Sequence, residues 1–347
     1  MPRDSDQAQL QKLYAQSMPG RITLSLRADP DYRRALDIQG DRHDTVIVRQ
    51  RDNGQAVAMG SRSVHPLWIN GDIQRVGYLS SLRNSPGVRL PRRLVAEAFN
   101  WLLDQRRSDE AEFDLTSILT DNHTARRALE RGVKGMPRYT PIGEFNTCAF
   151  RAVEHKPLAA CRRLTERDTP ALEALLCQDH HGYHARPAAS FSPSSDTPHQ
   201  SLAYESDGQL LGVAILWDQR AIKQTVVEDL SAPLKRYRRV INLGCRVLGR
   251  PGLPRPGESV AAVYGTHLAF PEEQPRVLRH LIRALQAEAF THQADTLIVG
   301  LTPTQHQQIR SHLRRQAWVT PSVIYAVHRG GAPELDQQTV WPEVALL

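Results

Sequence analysis

Residues 76–103 read VGYLSSLRNSPGVRLPRRLVAEAFNWLL, an apolar strand that breaks at Asn84-Ser85-Pro86-Gly87 and restarts as a helix. The helix is predicted from apolar residues at Leu94, Val95, Ala98, Phe99, Leu102 and Leu103, with Pro91 in the first turn, where its missing N–H costs nothing. A strand that feeds a basic turn at a helix N-terminus is a place to hold phosphate. Unpaired backbone N–H groups and the positive end of the helix dipole point there, and Arg83, Arg89, Arg92 and Arg93 add full charges. An ordinary strand-turn-helix with a solvated basic face has the same pattern, so the surroundings decide.

Outward from that stretch, the chain of 347 residues has room for two domains. Hydrophobic residues at 40% and charged ones at 23% are globular values. No apolar run approaches the length of a membrane helix, and the N-terminus lacks the apolar core of a secretory signal, which points to a cytoplasmic protein with no membrane partner. Cys148, Cys161, Cys177 and Cys245 are too scattered for a disulfide framework or a paired metal motif. A net charge of +7 suits a polyanion: a coenzyme A phosphate, an acidic carrier protein or nucleic acid.

Upstream of the turn, a leading amphipathic helix, a short strand at Ile22 to Leu26 and a helical turn near Asp31 precede a hairpin. Its strands, Thr45 to Arg51 and Ala56 to Val64, flank Asp52-Asn53-Gly54-Gln55, whose Asn-Gly tolerates positive φ at both residues. Downstream, Phe113 to Thr120 is a strand, Asp121 or Asn122 caps a helix that stops at Gly132, and a strand runs from Glu144 to Ala152. From Cys161 the order begins again: a short strand, a helix from Asp168, a hairpin around Ser206-Asp207-Gly208-Gln209, a strand from Val260 to Phe270 and a helix from Pro275 to Ala289. That helix carries Val277, Leu278, Leu281, Ile282, Leu285 and Ala289 on one face. A strand, a helix and a last strand at Ser322 to His328 complete the set. The pattern predicts an α+β protein with an internal duplication: a first domain over 1–155, a second over 156–330 with a basic, Pro/Gly-rich insertion at 219–258, and a loosely packed tail over 331–347.

These residues resemble the GNAT acyltransferase superfamily, whose acyl-CoA pyrophosphate turn commonly reads Leu-x-Val-x-Pro-x-x-Arg-Gly-x-Gly. Leu82, Pro86 and Arg89 fall at the matching spacings, whereas Leu90 and Arg92 stand where the family has glycines. A second family feature, a strand ending in an Asn that opens a helix with Ala three on and Gly at its end, is matched by Asn122, Ala125 and Gly132. The resemblance implies two tandem domains, each a mixed, mostly antiparallel twisted sheet flanked by helices. It implies acyl-CoA, with acetyl-CoA favoured, bound by Leu82, Arg83, Asn84, Gly87, Val88, Arg89, Arg92, Arg93 and Asn122, and no metal. The second turn, Phe270 to Pro275, has no glycine and sets Glu272 and Glu273 where phosphates would lie, which marks that copy as degenerate.

The reaction so implied is N-acylation of a small-molecule or peptide amine by direct attack on the thioester, with backbone N–H groups polarising the carbonyl and a general acid reprotonating the thiolate. The family's usual tyrosine acid falls at Leu129 here, so Tyr139 or Tyr78 is expected to substitute, with Glu144 or Asp114 as candidate base. Acyl carrier protein is an alternative donor. A non-catalytic ligand-sensing or interaction module and a basic nucleic-acid-associated protein are the rival readings, although the insertion lacks any nucleic-acid motif. Asp179-His180-His181-Gly182-Tyr183-His184 has metal-ligating residue types without a metal-ligand frame.

Overall fold

The computed structural model describes residues 6–18, 20–132, 134–154, 160–188, 197–313 and 317–347. The first half runs α1 (Gln7–Tyr14), β1 (Ile22–Ala28), α2 (Tyr32–Asp37), β2 (Arg42–Arg49), β3 (Ala56–Ile69), β4 (Asp72–Asn84), α3 (Arg92–Asp104), β5 (Glu110–Leu119), α4 (His123–Glu130) and β6 (Arg138–Arg151). The second runs β7 (Cys161–Arg163), α5 (Thr169–His180), β8 (Tyr183–His184), β9 (His199–Ser206), β10 (Gln209–Trp217), β11 (Lys223–Leu230), α6 (Ala232–Val247), β12 (Ala262–Ala269), α7 (Pro275–Thr291), β13 (Thr296–Leu301), α8 (Pro303–Leu313), β14 (Ala317–His328) and β15 (Thr339–Val340).

Both halves build one sheet in the order β2-β3-β4-β5-β14-β6-β13-β12-β10-β9-β7. Read inward from either edge, the order is the same: an antiparallel meander, then a parallel step, β4 to β5 in one half and β12 to β13 in the other. The central strands are exchanged. β14 lies between β5 and β6, and β6 lies between β14 and β13, so each half closes its sheet with the other's last strand. The insertion carries regular structure: β11 pairs antiparallel with β1 of the first half, and α6 follows it.

Local chemistry accounts for the elements. Gly54 sits at φ 68 and the Asn53 side chain accepts from the Gln55 N–H at 2.9 Å, which closes the first hairpin. Ala96, Phe99, Leu102 and Leu103 form the buried face of α3, while Pro91 is its N-cap rather than a first-turn residue. α7 buries the whole predicted stripe against the sheet. Beneath the first half lies a buried charge network: Arg62 donates to Asp114 at 2.9 Å and pairs with Glu110 at 2.7 Å, and Arg106 pairs with Asp114 at 3.0 Å. Gly77 is required there, because a Cβ would lie 2.1 Å from the Asp114 Oδ1.

The tail differs from its expectation. Val340, Trp341, Val344, Ala345 and Leu346 are all buried, and Trp341 packs edge-on against Tyr183 and Phe270. The sequence hides this because the apolar residues occupy a two-residue strand, Trp341 just after it and a single 3₁₀ turn, too short for periodicity to register.

Candidate active site

β4 and β5 pair at Arg75–Glu110, Gly77–Asp114 and Tyr78–Leu115, and beyond that point they part. On the other side, β3 aligns Ser61 with Ser80 and Met59 with Arg83, so Gly60 alone faces Ser81 and Leu82. Ser81 adopts φ 54, a bulge that turns its backbone out of the ladder. A side chain at 60 would press on the bulge, since a Cβ there would stand 2.9 Å from Leu82.

The parted strands enclose a cleft of about 560 Å³. Tyr78, Ser81, Leu82 and Arg83 wall it from β4, Thr116 to Leu119 from β5, Asn122 and Leu129 from the α4 end, and Tyr139 from β6. Lys223 and Tyr264 reach it from the second half, with Leu347 beside them. Tyr78 shares a 2.7 Å hydrogen bond with Ser117, and burial raises its pKa. Tyr139 stands edge-on to Phe99 and Tyr325, and burial raises its pKa too. Both tyrosines therefore reach the cleft protonated. The Asn122 side chain accepts from the Ala125 N–H at 3.2 Å, capping α4 at the cleft rim.

The organising turn follows directly. The Asn84 side chain donates to the Val88 carbonyl at 3.0 Å, the Val88 N–H to the Ser85 carbonyl at 3.1 Å, and Gly87 takes φ 77. The first α3 N–H groups then have no intrahelical acceptor. Arg89, Arg92 and Arg93 are exposed around them, Arg93 in a surface pair with Glu97, while Arg83 points inward and burial lowers its pKa. A second, mostly apolar cavity of about 530 Å³ lies behind the turn among β2, β3 and α3. It shares Leu82 and Arg83 with the cleft and also touches Asn84, Val88 and Arg89.

No known family's sequence profile matches this chain, and no curated protein matches it significantly. Solved structures do. Saccharomyces cerevisiae N-myristoyltransferase with bound myristoyl-CoA superposes at TM-score 0.62 with 10% identity, over 97% of this chain and 85% of that one. A second structure of the same yeast enzyme with myristoyl-CoA gives 0.61 at 11% identity, over 96% and 80%. The chain has the tandem GNAT fold.

The two GNAT copies can be compared position by position. In the second, β10 aligns Ile215 with Thr266 and Val213 with Ala269, so Ala214 faces His267 and Leu268, and His267 takes φ 49. His267 is thus the counterpart of Ser81. Its N–H donates to Glu343 at 2.8 Å, and Arg186 pairs with the same carboxylate at 3.4 Å while stacking 4.1 Å from the Trp341 ring centre. Trp341 donates to the Gly300 carbonyl at 3.1 Å. In the second copy the tail thus occupies the place where β12 and β13 part, whereas the first copy keeps an open cleft.

The predicted residues divide accordingly. Leu82, Arg83, Asn122, Tyr78 and Tyr139 meet at the cleft, and Asn84, Gly87, Val88, Arg89, Arg92 and Arg93 form the turn and helix start beside it. Glu144 does not meet them: it is exposed on β6, facing Val323 across the ladder. Asp114, the other candidate base, is fully buried in the charge network and does not line the cleft. His180 lies in the tail-filled region, accepting from Arg186 at 2.7 Å, and burial beside that cation pushes its pKa well down. His184 pairs with Asp336 at 2.9 Å. Sequence reasoning missed Lys223, whose pKa burial lowers to about 8. Its only signal was its place in the basic insertion, where it looked like one more surface cation.

Proposed function

We propose that the chain is an acyl-CoA-dependent N-acyltransferase whose first GNAT copy binds the donor in the cleft between β4 and β5. The observation that carries this reading is the contrast between the copies: the same strand bulge opens onto a cleft at Ser81 and is occupied by Glu343 at His267. That carboxylate oxygen against the His267 N–H stands where a thioester oxygen would lie against Ser81. The pyrophosphate sits on the α3 start with Arg89 and Arg92, and Asn122 flanks the pantetheine arm.

Transfer proceeds by direct attack. The amine nitrogen bonds to the thioester carbonyl carbon, the C–S bond breaks, the bulge N–H groups hold the developing oxyanion, and the leaving thiolate takes a proton from Tyr139 or Tyr78. Lys223, neutral above pH about 8, accepts the proton that the amine loses. The apolar cavity behind the turn, with Val46, Val48, Ala58 and Phe99 in its wall, favours an acyl chain longer than acetyl, because a methyl group needs no such space.

Thermal unfolding with acyl-CoAs of increasing chain length tests both points. Ligand at about a hundred times its Kd adds about 2.7 kcal/mol, a shift of several degrees. At one common concentration of each acyl-CoA, the expected result is a shift that grows with chain length and is lost in Arg89→Ala and reduced in Asn122→Ala. No shift with any acyl-CoA sinks the coenzyme reading, and a shift largest for acetyl-CoA sinks the long-chain one.

A further inference from the structure

The helix that follows β11 is held to the body by a single face. Cys245 is its one buried residue, Arg238 donates to the Leu253 carbonyl at 2.9 Å, and Asn242 both donates to that carbonyl and accepts from the Leu253 N–H at 2.7 Å. The opposite face carries Val247, Val240, Leu243 and Tyr237, exposed to 79, 69, 62 and 52%. With Leu248 at the C-cap, these five fall within an arc of about 140° at 100° per residue. They make this helix the main concentration of exposed large apolar side chains among the described residues. Helix positions 232–247 contain no Asp or Glu, and Arg236, Arg239 and Arg246 are exposed along and beside the stripe, while Lys235 pairs with Asp229 at 2.6 Å before it. Trp318 extends the patch beyond the helix end, donating to the Pro251 carbonyl at 3.1 Å with the Arg250 guanidinium 4.8 Å from its ring centre.

We propose that α6 is a peripheral docking helix for an anionic phospholipid surface. The occupant must be both apolar and negatively charged. A second copy of the chain meets the apolar condition but fails the charge condition, since an isologous contact would set the arginines of one helix against those of the other. Nucleic acid would satisfy the arginines but leave Val240, Leu243 and Val247 facing a charged backbone. A bilayer surface takes the apolar arc into its acyl boundary and the flanking cations against its head groups, with Tyr237 and Trp318 at the interface. No helix among the described residues is long and apolar enough to cross a membrane, so the association is with the surface. This inference does not depend on the acyl-transfer reading.

Flotation of the full chain with phosphatidylcholine vesicles, with and without about a third phosphatidylglycerol, tests it. The wild type is expected to float with the anionic vesicles only. Val240→Ser with Val247→Ser should lower the partition coefficient about tenfold or more, and Arg239→Gln with Arg246→Gln about fivefold per charge, with a weaker salt dependence. All four positions are exposed, so melting curves matching the wild type confirm that the fold is kept. Absence of flotation with anionic vesicles overturns the proposal, and an acidic protein then becomes the partner that fits. Flotation that survives the valine substitutions overturns it as well, because binding by charge alone describes any polyanion.

Discussion

Lys223 is the residue whose chemistry is most exposed to test. It sits in the cleft wall with burial as the cause of its lowered pKa, which means that the protein holds an ammonium in an environment that disfavours charge. As a base it works only when neutral, so kcat/KM should climb about tenfold per pH unit below 8 and level off above it. Lys223→Met should remove that limb and cost on the order of a hundredfold in rate. Stability should move the other way. The unfolded chain holds the lysine proton up to its usual pKa near 10.5 whereas the folded one releases it near 8, so the desolvation cost is full at pH 7 and fades as pH rises through that window. The methionine variant should therefore melt higher than the wild type at pH 7, with the gap closing by pH 10. An unchanged pH profile would remove Lys223 from the proton path. Gly77 makes a purely structural contrast. In Gly77→Ala the new Cβ displaces Asp114 from Arg62, and breaking a buried pair costs about 3 kcal/mol or more, read as a lower denaturant midpoint with the pH profile retained.

Asn122 joins an element to the cleft, because the residue that starts α4 also lines the wall. Removing its cap in Asn122→Ala should cost about 1 kcal/mol and fray the first turn, so the acyl-CoA-dependent melting shift should shrink more than the ligand-free melting point falls. An equal fall of the melting point with and without ligand, leaving the shift unchanged, would confine Asn122 to capping. This helix start was legible in the sequence, as were the Asp52-to-Gln55 hairpin, α3 and α7, because each joins a turn signal to a full period of apolar residues. The bulge was not. Ser81 and His267 are not the residue types that announce positive φ, and only the register of β3 and β10 reveals them. α6 was hidden for the opposite reason: its apolar residues are real but face outward, so they read as part of a basic, Pro/Gly-rich insertion. The place of Glu144 away from the cleft was not legible either, because a strand's alternation says which face a residue takes and nothing about which neighbour covers it.

At the scale of the whole chain, the exchange of β6 and β14 was beyond the sequence, since a strand pattern is the same whichever strand lies beside it. The exchange nevertheless controls how the molecule unfolds. β6 has β14 on one side and β13 on the other, both from the second half, and β5 of the first half pairs with β14. Further ties cross the same seam: Tyr325 donates to Glu130 and accepts from Arg126 at 2.9 Å, and β1 pairs with β11. Neither half can open its last strand without exposing the core of the other. Calorimetry should then show one transition with equal calorimetric and van't Hoff enthalpies, in place of the two that duplicated, independent domains would give. Because the cleft draws its walls from both halves, a bound acyl-CoA should raise that single transition as a whole. Two resolved transitions, with ligand moving one alone, would mean that the exchanged strands do not couple the copies and that the first half carries its cleft by itself.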